Sequence, residues 1–344
     1  MQIKQVPEDF VVREIFNEKG KPGNEYLWFT LRKRNWDTIR AIKAISKRLG
    51  VSLKRFGYAG TKDRNAVTYQ KVSVWHVSRS DLEKVRIKDI DILDISENGE
   101  RINLGDHEGN EFEILVRDVK IDEKILKKNI ARARKGIINY YDSQRFGSKR
   151  QVSHLVGREI LRNNLREAVM IYLTLTSGEE PEETRKARIG LSRHGNFSRA
   201  LKEFPGNLKY EIILLNHLAR QPKDFAGALR DLPKKLRKLF VHAYQSYLWN
   251  MIAKEVKDDE IPLIGYETEV TNKKMIEILK KEDVRPEDFR CASMPELASE
   301  GSARQRIVIP EGLECRVSDG LLLKFRLGRG SYATVVAKEI VKGL

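Results

Sequence analysis

Cysteine is nearly missing from this chain. Its 344 residues include only Cys291 and Cys315, with no C-x-x-C pair. That excludes a disulfide framework and a thiolate zinc cluster and fits a reducing compartment. With no signal-peptide pattern at the start, the expected location is cytoplasmic. Histidine is scarce as well. His76, His107, His154, His194, His217 and His242 include no i, i+4 pair, so no metal is expected. No uncharged apolar run approaches the ~18 residues of a spanning helix, and no membrane partner is expected. Glycine fingerprints are absent too. Without G-x-x-x-x-G-K-[ST], or a G-x-G-x-x-G after a strand, nucleotide, dinucleotide and S-adenosylmethionine cofactors have no support.

Acidic residues are the other deficit. Lys and Arg number 65 against 49 Asp and Glu, a net charge of +16, and the isoelectric point is near 9.6. Such a surplus favours an anionic partner. Nucleic acid leads, because each neutralised phosphate releases counterions. Hydrophobic residues at 40% and charged residues at 33% describe a globular chain long enough for one large core or two ordinary ones.

Three regions follow one another. Residues 1–120 read mainly as strands, at Tyr26 to Leu31, Tyr69 to Val77 and Glu111 to Val116. Among them lies one helix, Asp37 to Leu49. Ile39, Ile42, Ile45 and Leu49 line one side, Arg40, Lys43, Lys47 and Arg48 another, and Gly50 stops it. Residues 121–303 are mostly helical. The clearest helix, Lys234 to Glu255, repeats Leu236, Leu239, Phe240, Ala243, Tyr244, Tyr247, Leu248, Met251 and Ile252 at helical spacing, as a core stripe would. Thr184 to Lys202 carries six cations and no acid, with Gly190 and Gly195, and reads as a mobile basic segment. Residues 304–344 return to strands at Arg306 to Ile309, Leu321 to Leu327 and Tyr332 to Ala337. Strand, helix, strand without βαβ alternation is an α+β pattern, one sheet interrupted by a helical insertion. The expected division is a domain of residues 1–154 with 304–344, and an insertion of residues 155–303.

Three stretches could carry chemistry. Phe56 to Gln70 must be a loop between helix and strand. Gly57 and Gly60 allow tight turns, and Asp63 stands between Lys62 and Arg64. A carboxylate kept charged by cations can act as a nucleophile toward a sugar or base carbon, although the local pattern alone favours a surface turn with an ordinary ion pair. Asn139 to Gly147 joins amides, Tyr140, Tyr141 and Arg145, a set that suits a flipped base and its phosphates or a helix-to-helix turn with buried tyrosines. Gly328 to Thr334 reads as a glycine turn entering the last strand.

In this order, these stretches resemble the TruD family of pseudouridine synthases. Lys4 with Pro7-Glu8-Asp9-Phe10-Val11-Val12 is similar to its K-x-x-P-E-D-F-x-V signature. Ala59-Gly60-Thr61-Lys62-Asp63 with Ala66-Val67-Thr68 is similar to its A-G-x-K-D-x-x-A-V-T loop. Asn139-Tyr140-Tyr141 with Gln144-Arg145-Phe146-Gly147, and Gly330-Ser331-Tyr332-Ala333-Thr334, complete the set. Some members have phenylalanine at Tyr141, glycine is common at Asp142, and Arg326-Leu327-Gly328-Arg329 lacks a proline many members have. The resemblance implies a pseudouridine-synthase-like mixed, largely antiparallel sheet with flanking helices and an inserted, mainly helical TRUD domain. It implies cofactor-independent isomerisation of uridine to pseudouridine at position 13 of tRNA, by an enzyme expected to be monomeric. Asp63 matches the essential aspartate and Lys4 the basic residue paired with it. Phe10, Asn139 and Tyr141 match positions around the target uracil. Phe240 falls near the pocket by a loose alignment, and Lys62, Arg64 and Arg145 are the cations expected to meet the substrate. A non-catalytic RNA-binding protein and an RNA methyltransferase are the other classes composition leaves open.

Overall fold

The structure is a computed structural model that describes residues 2–17, 20–147 and 150–344. Two compact units divide it. The first holds Met1–Ile137 with Val308–Leu344, and the second holds Ile138–Ile307.

In chain order the first unit opens with β1 (Gln2–Ile3), β2 (Phe10–Phe16), β3 (Tyr26–Arg34), α1 (Thr38–Leu49), β4 (Phe56–Tyr58), β5 (Val67–Trp75), α2 (Arg79–Glu83), β6 (Ile90–Asn98), β7 (His107–Arg117) and α3 (Glu123–Lys135). The chain leaves it at β8 (Ile137–Ile138). Then follow α4 (Ser153–Leu161), α5 (Leu165–Thr174), α6 (Glu182–His194), α7 (Phe197–Glu203), α8 (Lys209–Arg220), α9 (Phe225–Asp231), α10 (Lys234–Glu255), β9 (Glu260–Leu263), α11 (Lys273–Lys281) and β10 (Ser302–Gln305). It returns at β11 (Ile307–Val308) and ends with β12 (Glu311–Ser318), β13 (Gly320–Gly328) and α12 (Ala333–Ile340).

The first unit is built on a nine-stranded sheet ordered β12-β13-β7-β2-β5-β3-β6, with β1 beside β7 and β4 beside β5. Every pairing is antiparallel except β2 with β5, where Val11 faces Val67 and Arg13 faces Tyr69. Period two puts Leu27, Phe29, Leu31 and Lys33 on one face of β3. Helix α1 packs on the apolar part of that face through Ala41, Ile42 and Ile45. Full burial of each isoleucine contributes ~1.5–3 kcal/mol. Asp37 caps α1 by accepting from the backbone N–H groups of Ile39 and Arg40, and Gly50 ends it at a left-handed φ of 66°. Ile39 is exposed, so the inward stripe is narrower than the spacing predicts. The basic side of α1 faces solvent, at Arg40, Lys43, Lys47 and Arg48.

The second unit is helical, with β9 and β10 paired at its edge. Its core runs through α10, where Phe240, Tyr244, Leu248, Trp249 and Ile252 are buried.

Three expectations change. Tyr332 to Ala337 is not a strand. Ala333–Ile340 is helix α12, whose Val336, Ala337 and Ile340 are fully buried at helical spacing. A short β-branched run does not distinguish strand from buried helix. Thr184 to Lys202 lies within α6 and α7 rather than a loop, because Arg188 is drawn into the core by Glu180 and Glu211. The division also comes earlier than residue 155. Tyr141, Arg145 and Phe146 pack against Trp249, Ser246 and Tyr247 of α10, which places them with the helices.

Candidate active site

The loop from Ala59 to Ala66 is held from below by side chains of the sheet and of α1. The Thr38 hydroxyl accepts from the Lys62 backbone N–H at 2.9 Å and donates to Gln70 Oε1 at 2.9 Å. Gln70 Nε2 in turn donates to the Gly60 carbonyl at 2.9 Å. At Gly57 an added Cβ would lie 2.3 Å from the Ile102 carbonyl oxygen, so β4 tolerates no side chain there. The Lys33 ammonium, fully buried, donates to the carbonyls of Asp63 at 2.8 Å and Trp36 at 2.7 Å. This bracing leaves the Asp63 side chain 41% exposed, while its main chain is fixed.

Lys4 supplies the cation that meets Asp63, Nζ to Oδ2 at 2.6 Å. Its backbone takes a left-handed φ of 66°, a conformation that costs a branched-Cβ-free residue ~1 kcal/mol or more. The Asn65 side-chain amide donates to the Lys4 carbonyl at 2.9 Å and holds that turn. The P-E-D-F stretch explains itself here. Asp9 is buried and takes a bidentate grip from Arg117, whose Nη2 donates to Oδ1 at 2.8 Å and whose Nε donates to Oδ2 at 3.2 Å, and Glu8 pairs with Arg34. Burial raises the Asp9 carboxyl, but the Arg117 bonds and the Val6 N–H outweigh it and hold Asp9 below the usual carboxylate range. Phe10 follows directly, and Lys4 Nζ sits 3.8 Å above its ring centre.

The remaining polar groups of this floor are also paired inward. Lys62 contacts Glu14, both nearly fully buried, and Glu14 Oε2 accepts from the Lys71 N–H at 3.0 Å. His107 has a buried Nδ1 without a hydrogen-bond partner. Burial, then the nearby Lys62, lowers its pKa. Among the described residues no group of three His, Cys, Asp or Glu side chains is placed to hold a metal. No helix among them is long and apolar enough to cross a membrane.

Asn139, Tyr141 and Arg145 belong to the second unit. Asn139 is buried. Its Oδ1 accepts from Arg304 at 2.8 Å and its Nδ2 donates to the Gln305 carbonyl at 3.3 Å. The Arg304 guanidinium lies 4.1 Å from the Tyr141 ring centre, with Trp249 edge-on at 5.7 Å. Asn250 clamps the Tyr141 backbone by accepting from its N–H at 2.9 Å and donating to its carbonyl at 2.8 Å. Arg145, Lys238, His242 and Tyr141 line one groove of about 470 Å³. Burial first, then Arg145 and Lys238, lowers the His242 pKa.

Of the residues singled out by sequence, the fold brings Asp63, Lys4 and Phe10 together. Arg64 is on the surface. Lys62 is turned away into its pair with Glu14, not toward the loop surface. Phe10 is buried under Lys4 and aims that ammonium instead of offering a bare stacking face. Phe240 is 1% exposed and packs edge-on to Tyr172 at 5.4 Å, in the helical core, because the α10 stripe points inward. Sequence reading missed Lys33, Glu14, Thr38 and Gln70. A signal existed: Lys33 continues the inward series Leu27, Phe29, Leu31, and Glu14 continues Phe10, Val12.

Comparison with known proteins gives the family. The sequence profile of the TruD family, described as tRNA pseudouridine synthase D (TruD), matches residues 1–261 and 256–340. A Methanopyrus kandleri protein named "Probable tRNA pseudouridine synthase D" is 38% identical, over 91% of this chain and 84% of its own. A Methanococcoides burtonii protein of the same name is 32% identical, over 99% and 93%. The crystal structure of a Methanosarcina mazei protein, provisionally named tRNA pseudouridine synthase D, superposes with a TM-score of 0.83 at 32% identity. That match covers 99% of this chain and 93% of the other. With the profile spanning nearly every residue and the fold shared, this chain belongs to the TruD family.

Proposed function

We propose that this protein isomerises uridine to pseudouridine in tRNA, at position 13, with Asp63 as the catalytic carboxylate and without a cofactor. The observation that carries the reading is the pairing of a half-exposed Asp63 with Lys4 at 2.6 Å on a loop whose main chain is pinned from beneath. Family membership and the relatives' names support the substrate class.

The reaction breaks the C1′–N1 bond, turns the uracil and joins C1′ to C5. The C5 hydrogen leaves as a proton and N1 gains one, so the change is redox-neutral and needs no external reactant. Asp63 adds to C1′, adds to C6, or removes the 2′ proton toward a glycal. Each route requires an ionised, oriented carboxylate, which the Lys4 ammonium serves. Extruding the base costs a few kcal/mol. Tyr141, with Arg304 on its ring, and the groove cations Arg145 and Lys238 belong to the RNA-holding part of the second unit. Asn139 contributes by fixing Arg304. A surplus of sixteen positive charges supports tRNA binding through phosphates.

The test is release of tritium from C5-labelled uridine in tRNA by purified protein, with Asp63→Asn beside wild type, and sequencing of the product to locate the modified position. Wild-type tritium release by Asp63→Asn would refute the assignment of Asp63. Product at another position would refute the assignment of position 13.

A further inference from the structure

A lysine ammonium buried without a carboxylate in contact is expensive. Transfer of the charge out of water costs several kcal/mol after relaxation. Lys33 is such a residue. It is 0% exposed, next to last in β3, and faces Thr68 of β5 and Ile90 of β6 in the strand ladders. Among the described residues no carboxylate reaches ion-pair distance of its Nζ. Its donors go to main-chain oxygens: Trp36 at 2.7 Å, Asp63 at 2.8 Å and, more weakly, Lys62 at 3.5 Å. Three N–H bonds are all an ammonium has. One side chain therefore ties the turn leading into α1 to the two residues at the tip of the candidate catalytic loop.

We propose that Lys33 is a positioning residue for Asp63, fixing the loop's main chain and placing a positive charge beneath the carboxylate. This rests on the reading of Asp63 given above and deepens it. Lys4 meets the carboxylate itself, its own side chain 12% exposed. Lys33 cannot move, because its stem is enclosed by the sheet. The charged groups around it are Asp63 and Lys62 from the loop and Asp37 from the head of α1. Asp63 and Asp37 favour its protonation and Lys62 opposes it. Burial dominates and brings the ammonium down to about 8. The proton is therefore held near neutrality and released in mild alkali, and with it the fixed charge goes.

The experiment is a single-turnover isomerisation assay with enzyme in excess over tRNA, run across pH, together with RNA affinity and thermal unfolding. Lys33→Met keeps the stem length and removes the charge. At neutral pH its rate is expected to fall ~100-fold, the scale of losing one preorganised electrostatic contact, with RNA affinity within ~3-fold. A merely structural role would lower the melting temperature but leave the rate per folded molecule and the pH profile unmoved, and that result would overturn the proposal. If Lys33→Met does not fold, Lys33→Gln decides the matter, because its amide keeps a donor for the buried carbonyls without the charge. Its rate per folded molecule is expected to fall on the same scale with RNA affinity held, and a wild-type rate would overturn the proposal. An active Asp63→Asn enzyme would instead defeat the reading of Asp63 itself. The two failures are thus distinguishable.

Discussion

Each unit buries a cation, and the two do so in opposite ways. In the second unit Arg188 is 2% exposed and fully answered. Its Nε donates to Glu180 at 2.9 Å, one terminal nitrogen donates to Glu211 at 2.7 Å, and the other donates to the carbonyls of Leu173 and Tyr172. Arg150 joins the same two carboxylates. That network neutralises itself and faces only protein. In the first unit Lys33 is equally buried, yet its oxygens are carbonyls, and the nearest use for its charge is the Asp63 carboxylate on the loop above. A buried cation whose charge is cancelled on site holds helices together. One whose charge is left over is aimed at something.

That contrast can be broken at several points. The largest effect is expected at Asp63→Asn, where single-turnover isomerisation should fall by ~10⁴-fold, as when a covalent catalyst is removed. RNA binding should stay within ~3-fold, since the phosphate contacts are untouched. Retained turnover would return Asp63 to an ordinary surface ion pair.

Arg188→Met should do the reverse. It leaves Glu180 and Glu211 in the core with Arg150 as their remaining cation and should cost ~3–5 kcal/mol in denaturant unfolding, with isomerisation per folded molecule unchanged. A loss under ~1 kcal/mol would mean that the pair is solvated after all.

Thr38→Val tests the loop's other brace. It leaves the Lys62 N–H and Gln70 Oε1 unanswered, at ~1–3 kcal/mol each at most. It should slow isomerisation more than it weakens RNA binding, measured as separate rate and affinity. An equal loss of both would put Thr38 in the scaffold only.

The smallest effect is one of pH. Burial, then Arg158, lowers His154 from 6.5 to about 4. The folded state therefore binds this proton more weakly than the unfolded one. Stability is intact above about 6.5 and declines as pH falls toward about 4. His154→Phe should flatten part of that decline in acid unfolding curves, leaving the share that belongs to His107 and His242. An unaltered slope would show that the ring is not buried.

Much of the fold was legible beforehand, for local reasons. Tyr26 to Leu31 is rich in aromatic and β-branched residues, Glu111 to Val116 alternates, and α10 repeats at helical spacing, so composition and periodicity identify them. The α12 segment was misread because valine and threonine favour strands locally, while burial of Val336 and Ile340 against the unit's core decides for a helix. The pairing of Lys4 with Asp63 came from the family resemblance and not from the local pattern, and the structure places the two in contact. The inward course of Lys62 and Phe240 was not legible, because Glu14 and the helical core draw those side chains into the interior.

By itself, the sequence determined the α+β order, the basic surface, the glycine-bearing loop and the presence of an aspartate among cations. Local chemistry left open which cation meets it, and the tertiary structure brings Lys4 and Lys33 to it. Lys4 lies 59 residues from Asp63 and Lys33 lies 30 away, whereas Lys62 and Arg64 are its chain neighbours and do not pair with it. Adjacent side chains on an extended backbone point apart. Groups distant in the chain meet where strands and turns bring them within hydrogen-bond reach, and there burial fixes which of them keep their charge.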